Sequence, residues 1–251
     1  MDSTSPEDRL IAALRENAEL RQELDRAKKK AEFSKQELDS FVYATSHDLK
    51  TPLRSIGSYS QLLIRLCGNI EGSAEYVKHI TDGVTAAALL VEQMLDLSRA
   101  GSSPARATVS LSAVLSSVLY KMQARLKESG AKVSYGALPE LVINQNDFER
   151  LFENLIDNAI RYRSGEAPRI DISAQEGDAG CTIEVRDNGI GIEPKFHQQV
   201  FVAFQRLHGK ELSGTGLGLA VCRKIVEAHD GQIWVESDGP GGSVFKINLP
   251  Y

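Results

Sequence analysis

Small and apolar residues dominate positions 10, 13, 17, 20, 24, 27, 31, 34, 38 and 41 (Leu, Ala, Asn, Leu, Leu, Ala, Ala, Ser, Leu, Phe), which alternate steps of three and four while charged residues fill the outer positions. A heptad seam sustained this long predicts a parallel two-stranded coiled coil, with Asn17 facing its twin across the seam. A single solvated amphipathic helix is the alternative, because several seam positions are small or polar. The pattern continues through Thr45, Leu49, Leu53, Ile56 and Leu63. After a loop around Cys67 to Ser73 it resumes at Val77, Ile80, Val84, Ala87, Val91 and Met94. Two such helices form an αα-hairpin, and a pair of hairpins closes into a four-helix bundle, so the pattern predicts a homodimer.

The periodicity changes after Ser98. The stretch RAGSSPARAT, rich in small residues, Gly and Pro, reads as a linker and a domain boundary. Beyond it, LSAVLSSVLYKMQARLKES and NDFERLFENLIDNAIRYR are helical, while KVSYG, RIDISAQ, CTIEVRDN, GQIWVES and GSVFKINL read as strands separated by turn residues. The expected fold class is multidomain: an all-α coiled coil and helical hairpin, then an α/β sandwich with helices on one face of a mixed sheet. The expected divisions are a signalling helix over 1–33, a dimerisation and phosphotransfer unit over 34–101, a linker over 102–107 and a catalytic unit over 108–251.

Composition narrows the function. A net charge of −5 with pI near 5.6 provides no positive field to hold a nucleic-acid backbone, so nucleic acid is not an expected partner. Cys67, Cys181 and Cys222 are far apart and lack metal-ligand spacing, which fits isolated thiols in a reducing compartment. The amino terminus has no apolar signal core and no run approaches the ~20 apolar residues of a membrane span, so the expectation is a cytoplasmic chain with no membrane segment.

Candidate chemistry begins at HDLKTPL, His47 to Leu53. Each helical residue turns the chain by about 100°, so His47 lies away from the core positions Thr45 and Leu49 and points to solvent. An imidazole that titrates near neutrality offers a nucleophilic nitrogen to a phosphoryl group. Asp48 beside it is placed to hold the other ring nitrogen or accept its proton. Pro52 crowds the carbonyl of Asp48 and predicts a bend one turn after the histidine. Thr51 shares a face with His47, where its hydroxyl could orient a water for the reverse, hydrolytic reaction.

Four further blocks bear on nucleotide binding. Asn154 and Asn158, one helical turn apart with Arg161 continuing the face, combine hard amide oxygens suited to Mg²⁺ with a cation suited to phosphate. Asp187 ends an alternating strand before Asn188 and Gly189; its carboxylate can accept from the amino group of adenine, and Gly189 and Gly191 let the backbone approach the ring. Gly214, Gly216 and Gly218 open a helix whose first N–H groups and dipole make a seat for phosphates. The spacing is neither a Walker A motif nor a dinucleotide fingerprint. Between Gly191 and Gly214, a segment holding Phe201, Phe204, Arg206, His208 and Lys210 has the polar tip and aromatic base of a lid. Each block alone has an ordinary structural explanation, as do His79, His197, His208 and His229.

Together they resemble a known family. FVYATSHDLKTPLRSI is similar to the acceptor box of sensor histidine kinases, with Asp48 where many members carry glutamate, and its phrasing is nearest to kinases attached to phytochrome-like or PAS sensory domains. The other blocks fall in the order and spacing of the N, G1, F and G2 boxes of the histidine kinase ATPase, a Bergerat (GHKL) fold shared with gyrase and MutL. The resemblance implies autophosphorylation of His47 from ATP with Mg²⁺, phosphotransfer to the receiver domain of a response regulator, and an upstream PAS, GAF or phytochrome-like sensor. It places Asn154 and Asn158 at the metal, and Arg161 and Tyr162 at phosphate and adenine. Asp187 falls at the adenine amino group, and Gly189, Gly191, Arg206, Gly214, Thr215, Gly216, Leu217 and Gly218 at the lid boundaries and phosphate cradle. Arg161 replaces the more common lysine. A catalytically silent dimeric scaffold and a standalone ATPase of the gyrase family are the competing readings.

Overall fold

The computed structural model describes residues 21, 49–63, 65, 73–103, 105–178, 180–205, 207 and 215–251. The predicted coiled-coil seam lies outside the described residues, as do His47, Asp48, Arg206 and Gly214; exposed, helical Arg21 is described but is not a seam position.

Residues 49–63 form helix α1, and α2 runs Ser73–Arg99, 27 residues. Val77, Val91 and Leu95 on α2 are buried, whereas Leu49, Ile56 and Leu63 on α1 and Ile80 and Leu90 on α2 stay exposed within the single chain. The Cβ position of Gly57 approaches Val84 Cγ1 to 3.5 Å, which sets the two helices side by side.

The remainder is a layered α/β unit. Strands β1 (Ala107–Ser110) and β3 (Glu140–Ile143) pair antiparallel. Strands β2 (Lys132–Tyr135), β4 (Arg169–Gly177), β5 (Gly180–Asp187), β6 (Gln232–Glu236) and β7 (Val244–Leu249) form a sheet in the order β2-β4-β5-β7-β6. Only the β2–β4 pair is parallel, so the sheet is mixed as expected. Alternation decides its faces: in β4, Ile170 and Ile172 point inward while Arg169 and Asp171 are exposed. Helices α3 (Leu111–Lys121), α5 (Gln145–Arg161) and α6 (Gly218–Ala228) supply the core against that inner face, with Leu115, Phe148, Phe152, Leu155 and Ile225 essentially removed from solvent.

The predicted helix over 111–129 is divided. Met122, with ψ 3°, ends α3 and starts α4 (Gln123–Ser129). The pair β1–β3 was not anticipated: β1 begins inside the small-residue stretch read as a linker, and β3 lies between the predicted strand KVSYG and the predicted helix NDFERLFENLIDNAIRYR.

Helix α5 has its own start signal. Asn144 accepts the N–H of Asp147 at 3.1 Å, capping the helix, and its backbone N–H donates to His229 Nε2 at 3.0 Å. His229 Nδ1 in turn donates to Ile225 O at 2.8 Å, so this buried imidazole ties the start of α5 to the end of α6. Cys181 and Cys222 are buried, unpaired thiols whose ionisation burial suppresses. Among the described residues, no helix is long and apolar enough to cross a membrane.

Candidate nucleotide-binding site

A cavity of about 110 Å³, open to solvent, lies between α5, the loop after β5, the start of α6 and the second half of α2. It brings together Asn154, Asn158, Arg161, Tyr162, Asp187, Gly191, Thr215, Gly216 and Gly218 from the predicted set. Leu217 is fully buried and Gly189 also lies outside the lining, whereas Thr51 is exposed on α1.

Asp187 sits at the end of β5 because its neighbours hold it there. Its N–H donates to Ser243 O at 2.9 Å, and its Oδ1 accepts from Gly189 N at 2.8 Å and Ser243 N at 3.2 Å. With Oδ1 occupied, the carboxylate presents its other oxygen to the cavity. Burial raises its pKa, and the two N–H donors offset part of that rise. Gly189 serves the turn: a Cβ there would lie 2.5 Å from Tyr162 O. Ile190 N donates to that same carbonyl at 3.0 Å, which fixes the loop against the end of α5.

Asn154 spends its amide N–H on Arg150 O at 2.9 Å. Its Oδ1 therefore turns to the start of α6, where a Cβ on Gly218 would meet it at 2.9 Å. A hard amide oxygen exposed beside an uncapped helix N-terminus and a second carboxamide, Asn158, is a donor set that fits a magnesium ion shared with phosphates. Among the described residues no cluster of His, Cys, Asp or Glu forms a metal site. Arg161 reaches Asp157 Oδ2 at 2.8 Å, and Arg125 contacts the other oxygen of Asp157, so the arginine face of α5 is organised by an acid that the motif reading passed over.

The segment after Gly191 divides the two predicted lid phenylalanines. Phe201 is buried edge-to-face against Phe245, centroids 6.3 Å apart, while Phe204 is exposed with φ 64°. Phe204 N donates to Gly216 O at 3.0 Å, joining the near end of this segment to the glycine-rich loop. Gln93 of α2 also lines the cavity and accepts the Thr215 hydroxyl. Sequence patterns gave no signal for Gln93, Ser243 or Ser237, whose contacts join segments remote in the chain.

Fold and cavity together define a layered α/β unit with an open cleft, attached to a pair of helices. The sequence matches the family described as histidine kinase-, DNA gyrase B- and HSP90-like ATPase over residues 143–251, and the His Kinase A (phospho-acceptor) domain over 37–103. The chain belongs to the histidine kinases. It is 39% identical to cyanobacterial phytochrome A of Nostoc sp. over 223 residues, covering 87% of this chain and 29% of that protein. It is 36% identical to the phytochrome-like protein Cph1 of Synechocystis sp. over 233 residues, covering 91% of this chain and 31% of that protein. The chain thus spans about a third of the length of these relatives. Among solved structures, full-length ShkA in complex with AMPPNP aligns with a TM-score of 0.65 at 24% identity, over 84% of this chain and 45% of that one, which supports the fold.

Proposed function

We propose that the chain is the kinase core of a two-component sensor: it transfers the γ-phosphoryl of Mg·ATP to His47 and passes it to an aspartate of a response-regulator receiver domain. The observation that carries this reading is that one cavity is walled both by the ATPase residues and by Gln93 of the phospho-acceptor hairpin. Lys50, three residues beyond His47 in sequence, acts electrostatically on Asp96 near the same end of α2.

In this reading Asp187 accepts from the adenine amino group and Ile190 and Ile192 flank the ring. Asn154 and Asn158 would hold the magnesium ion, which neutralises phosphate charge when bound, and Arg161 with the first N–H groups of α6 faces the phosphates. Gly191, Gly216 and Gly218 keep the backbone close, with Arg206, Gly214 and Thr215 at the lid. Asp48 accepts the proton from His47, and Thr51 serves phosphatase chemistry. The divisions at 34–101 and 108–251 separate acceptor from catalyst. The exposed apolar residues Leu49, Ile56, Leu63, Ile80 and Leu90 support a homodimer closed through the hairpins. The location is the cytoplasm, downstream of a PAS, GAF or phytochrome-like sensor.

Incubating the purified chain with γ-labelled Mg·ATP tests the reading. It expects an acid-labile, alkali-stable label that His47→Gln abolishes while nucleotide binding persists. A wild-type chain that binds ATP and acquires no such label under any dimer state refutes it and leaves the silent scaffold.

A further inference from the structure

The loop carrying Asp187 is pinned on one side by α5, through Ile190 N and Tyr162 O. Its other side is held by two side chains. Ser237, immediately after β6 and buried, accepts the Ile192 N–H at 2.9 Å and donates its own hydroxyl to Gly242 O at 2.8 Å. His197 Nε2 lies 3.2 Å from Ile192 O and 3.1 Å from Ser237 O. Both neighbours are carbonyl oxygens, so this nitrogen carries the proton and donates to them. The N–H and C=O of Ile192 are therefore both satisfied by side chains, one from each flanking segment.

The β6–β7 turn is pressed onto the same loop with no room to spare. A Cβ at Gly191 would fall 1.7 Å from Gly239 O and 3.1 Å from Ser237 Oγ, and one at Gly242 would fall 1.9 Å from Asp187 O. Ser243, next in the turn, supplies one of the two N–H groups on the Asp187 carboxylate. A shift of the turn relative to the loop thus disturbs both attachments, the N–H on the Asp187 carboxylate and the Ser237 hydroxyl on Ile192, and changes the spacing between the two.

We propose that Ser237, with His197, is a positioning residue for nucleotide binding: the pair clamps the β6–β7 turn to the loop over residues 187–192 and so sets the distance between Asp187 and the apolar wall on which a purine lies. The proposal rests on the reading of Asp187 as the adenine acceptor. Neither side chain lines the cavity, and both act through the backbone of Ile192 and the Ser243 N–H. Their loss therefore weakens ATP binding and leaves the phosphoryl-transfer groups Asn154, Asn158 and His47 in place.

The test is autophosphorylation of the full chain as a function of ATP, with displacement of a fluorescent ATP analogue and a melting curve for every variant. Ser237→Ala is expected to raise KM for ATP and the nucleotide Kd about five- to tenfold, the effect of removing one buried hydrogen-bonding group, with kcat changed less than about twofold. Ser237→Thr, which restores the hydroxyl, returns both constants toward wild type. His197→Phe follows Ser237→Ala, whereas His197→Gln, which keeps a donor at the Nε2 position, stays near wild type. If Ser237→Ala lowers kcat and the folded fraction in step with no change in KM, or if Ser237→Ala and His197→Phe both bind ATP as wild type does, the clamp is refuted. Asp187→Ala separates the two levels. Lost ATP binding there with unaffected Ser237→Ala and His197→Phe overturns the clamp alone, and intact binding in Asp187→Ala overturns the adenine reading beneath it.

Discussion

At Asp187 the chemistry of one carboxylate makes opposite demands on stability and binding. Its pKa is raised by burial above the usual carboxylate range, so the stabilising contribution is complete below the unfolded-state pKa and is lost as pH rises through the folded-state pKa. At neutral pH the ionised group is kept at a cost to the fold, whereas the proposed adenine contact needs that ionised form. ATP affinity should therefore fall as pH is lowered through the raised pKa, measurable by titration calorimetry across that range. Asp187→Asn sharpens the point. The backbone N–H groups of Gly189 and Ser243 hold Oδ1, so the new amide must turn its NH₂ into the cavity, toward an adenine amino group and suited to a guanine carbonyl. We expect ATP affinity to drop roughly tenfold or more, GTP to gain relative to ATP, and the melting temperature at neutral pH not to fall. Unchanged purine preference would refute the assignment. This residue was legible because β5 alternates up to it and the glycine turn follows directly. Ser237 and His197 were not legible, since the hydrogen bonds that give them a role form only when the β6–β7 turn folds back over a segment about forty residues earlier.

Elements show the same division between local pattern and distant contact. Helix α5 was readable from its periodicity, and its inward face, with Phe148, Phe152 and Leu155, is the centre of the core. Its junction with α3 was hidden. Glu149, buried on α5, accepts from Lys121 Nζ at 2.5 Å, Gln145 Nε2 at 3.0 Å and Ser117 Oγ at 3.2 Å. The break at Met122 was equally hidden, because the apolar rhythm from Val118 and Leu119 to Leu126 keeps its phase across it and neither Gly nor Pro marks it. Hydrogen bonding from Lys121, then from Gln145, holds the pKa of Glu149 below the usual carboxylate range. The sign follows: this contribution is present above the unfolded-state pKa and is lost as pH falls through the lowered folded-state value. Lys121→Met leaves the carboxylate short of its cation, and we expect a loss of about 1 kcal/mol, discounted because Lys121 is half exposed. The difference in melting temperature between wild type and variant should shrink as the acid limb is entered. A constant difference down through that limb would argue against the pairing.

Over the whole molecule, the end of α2 is seated on the ATPase unit by several weak ties. Arg150 meets Asp96 at 2.8 Å, and Lys224 Nζ donates to Leu97 O and Ser98 O, both at 2.9 Å, placing a cation at the negative end of a 27-residue helix. Asp96 has its pKa raised by burial, with Arg150 opposing that rise. Gly101 follows, and a Cβ there would lie 2.4 Å from Ala228 Cβ and 3.0 Å from Lys224 O. In this arrangement Gln93 stands in the cavity wall and accepts the Thr215 hydroxyl, so α2 is tied to the glycine-rich loop as well as to α6. Under the proposed transfer to His47, we expect this seat to loosen. An isolated, partly exposed ion pair contributes only about 0–1 kcal/mol, so Asp96→Asn alone should change the rate little. Gly101→Ala forces a methyl group into the closed contact at φ +65° and should unseat the helix. We expect it to speed proteolytic cleavage between residues 99 and 107 and to raise the autophosphorylation rate at saturating ATP severalfold. Ala228→Gly in the same chain removes the opposing carbon and should reverse part of both changes. If Gly101→Ala cleaves and phosphorylates as wild type does, the helix end is not a restraint, and the contact between the two units is merely where they rest.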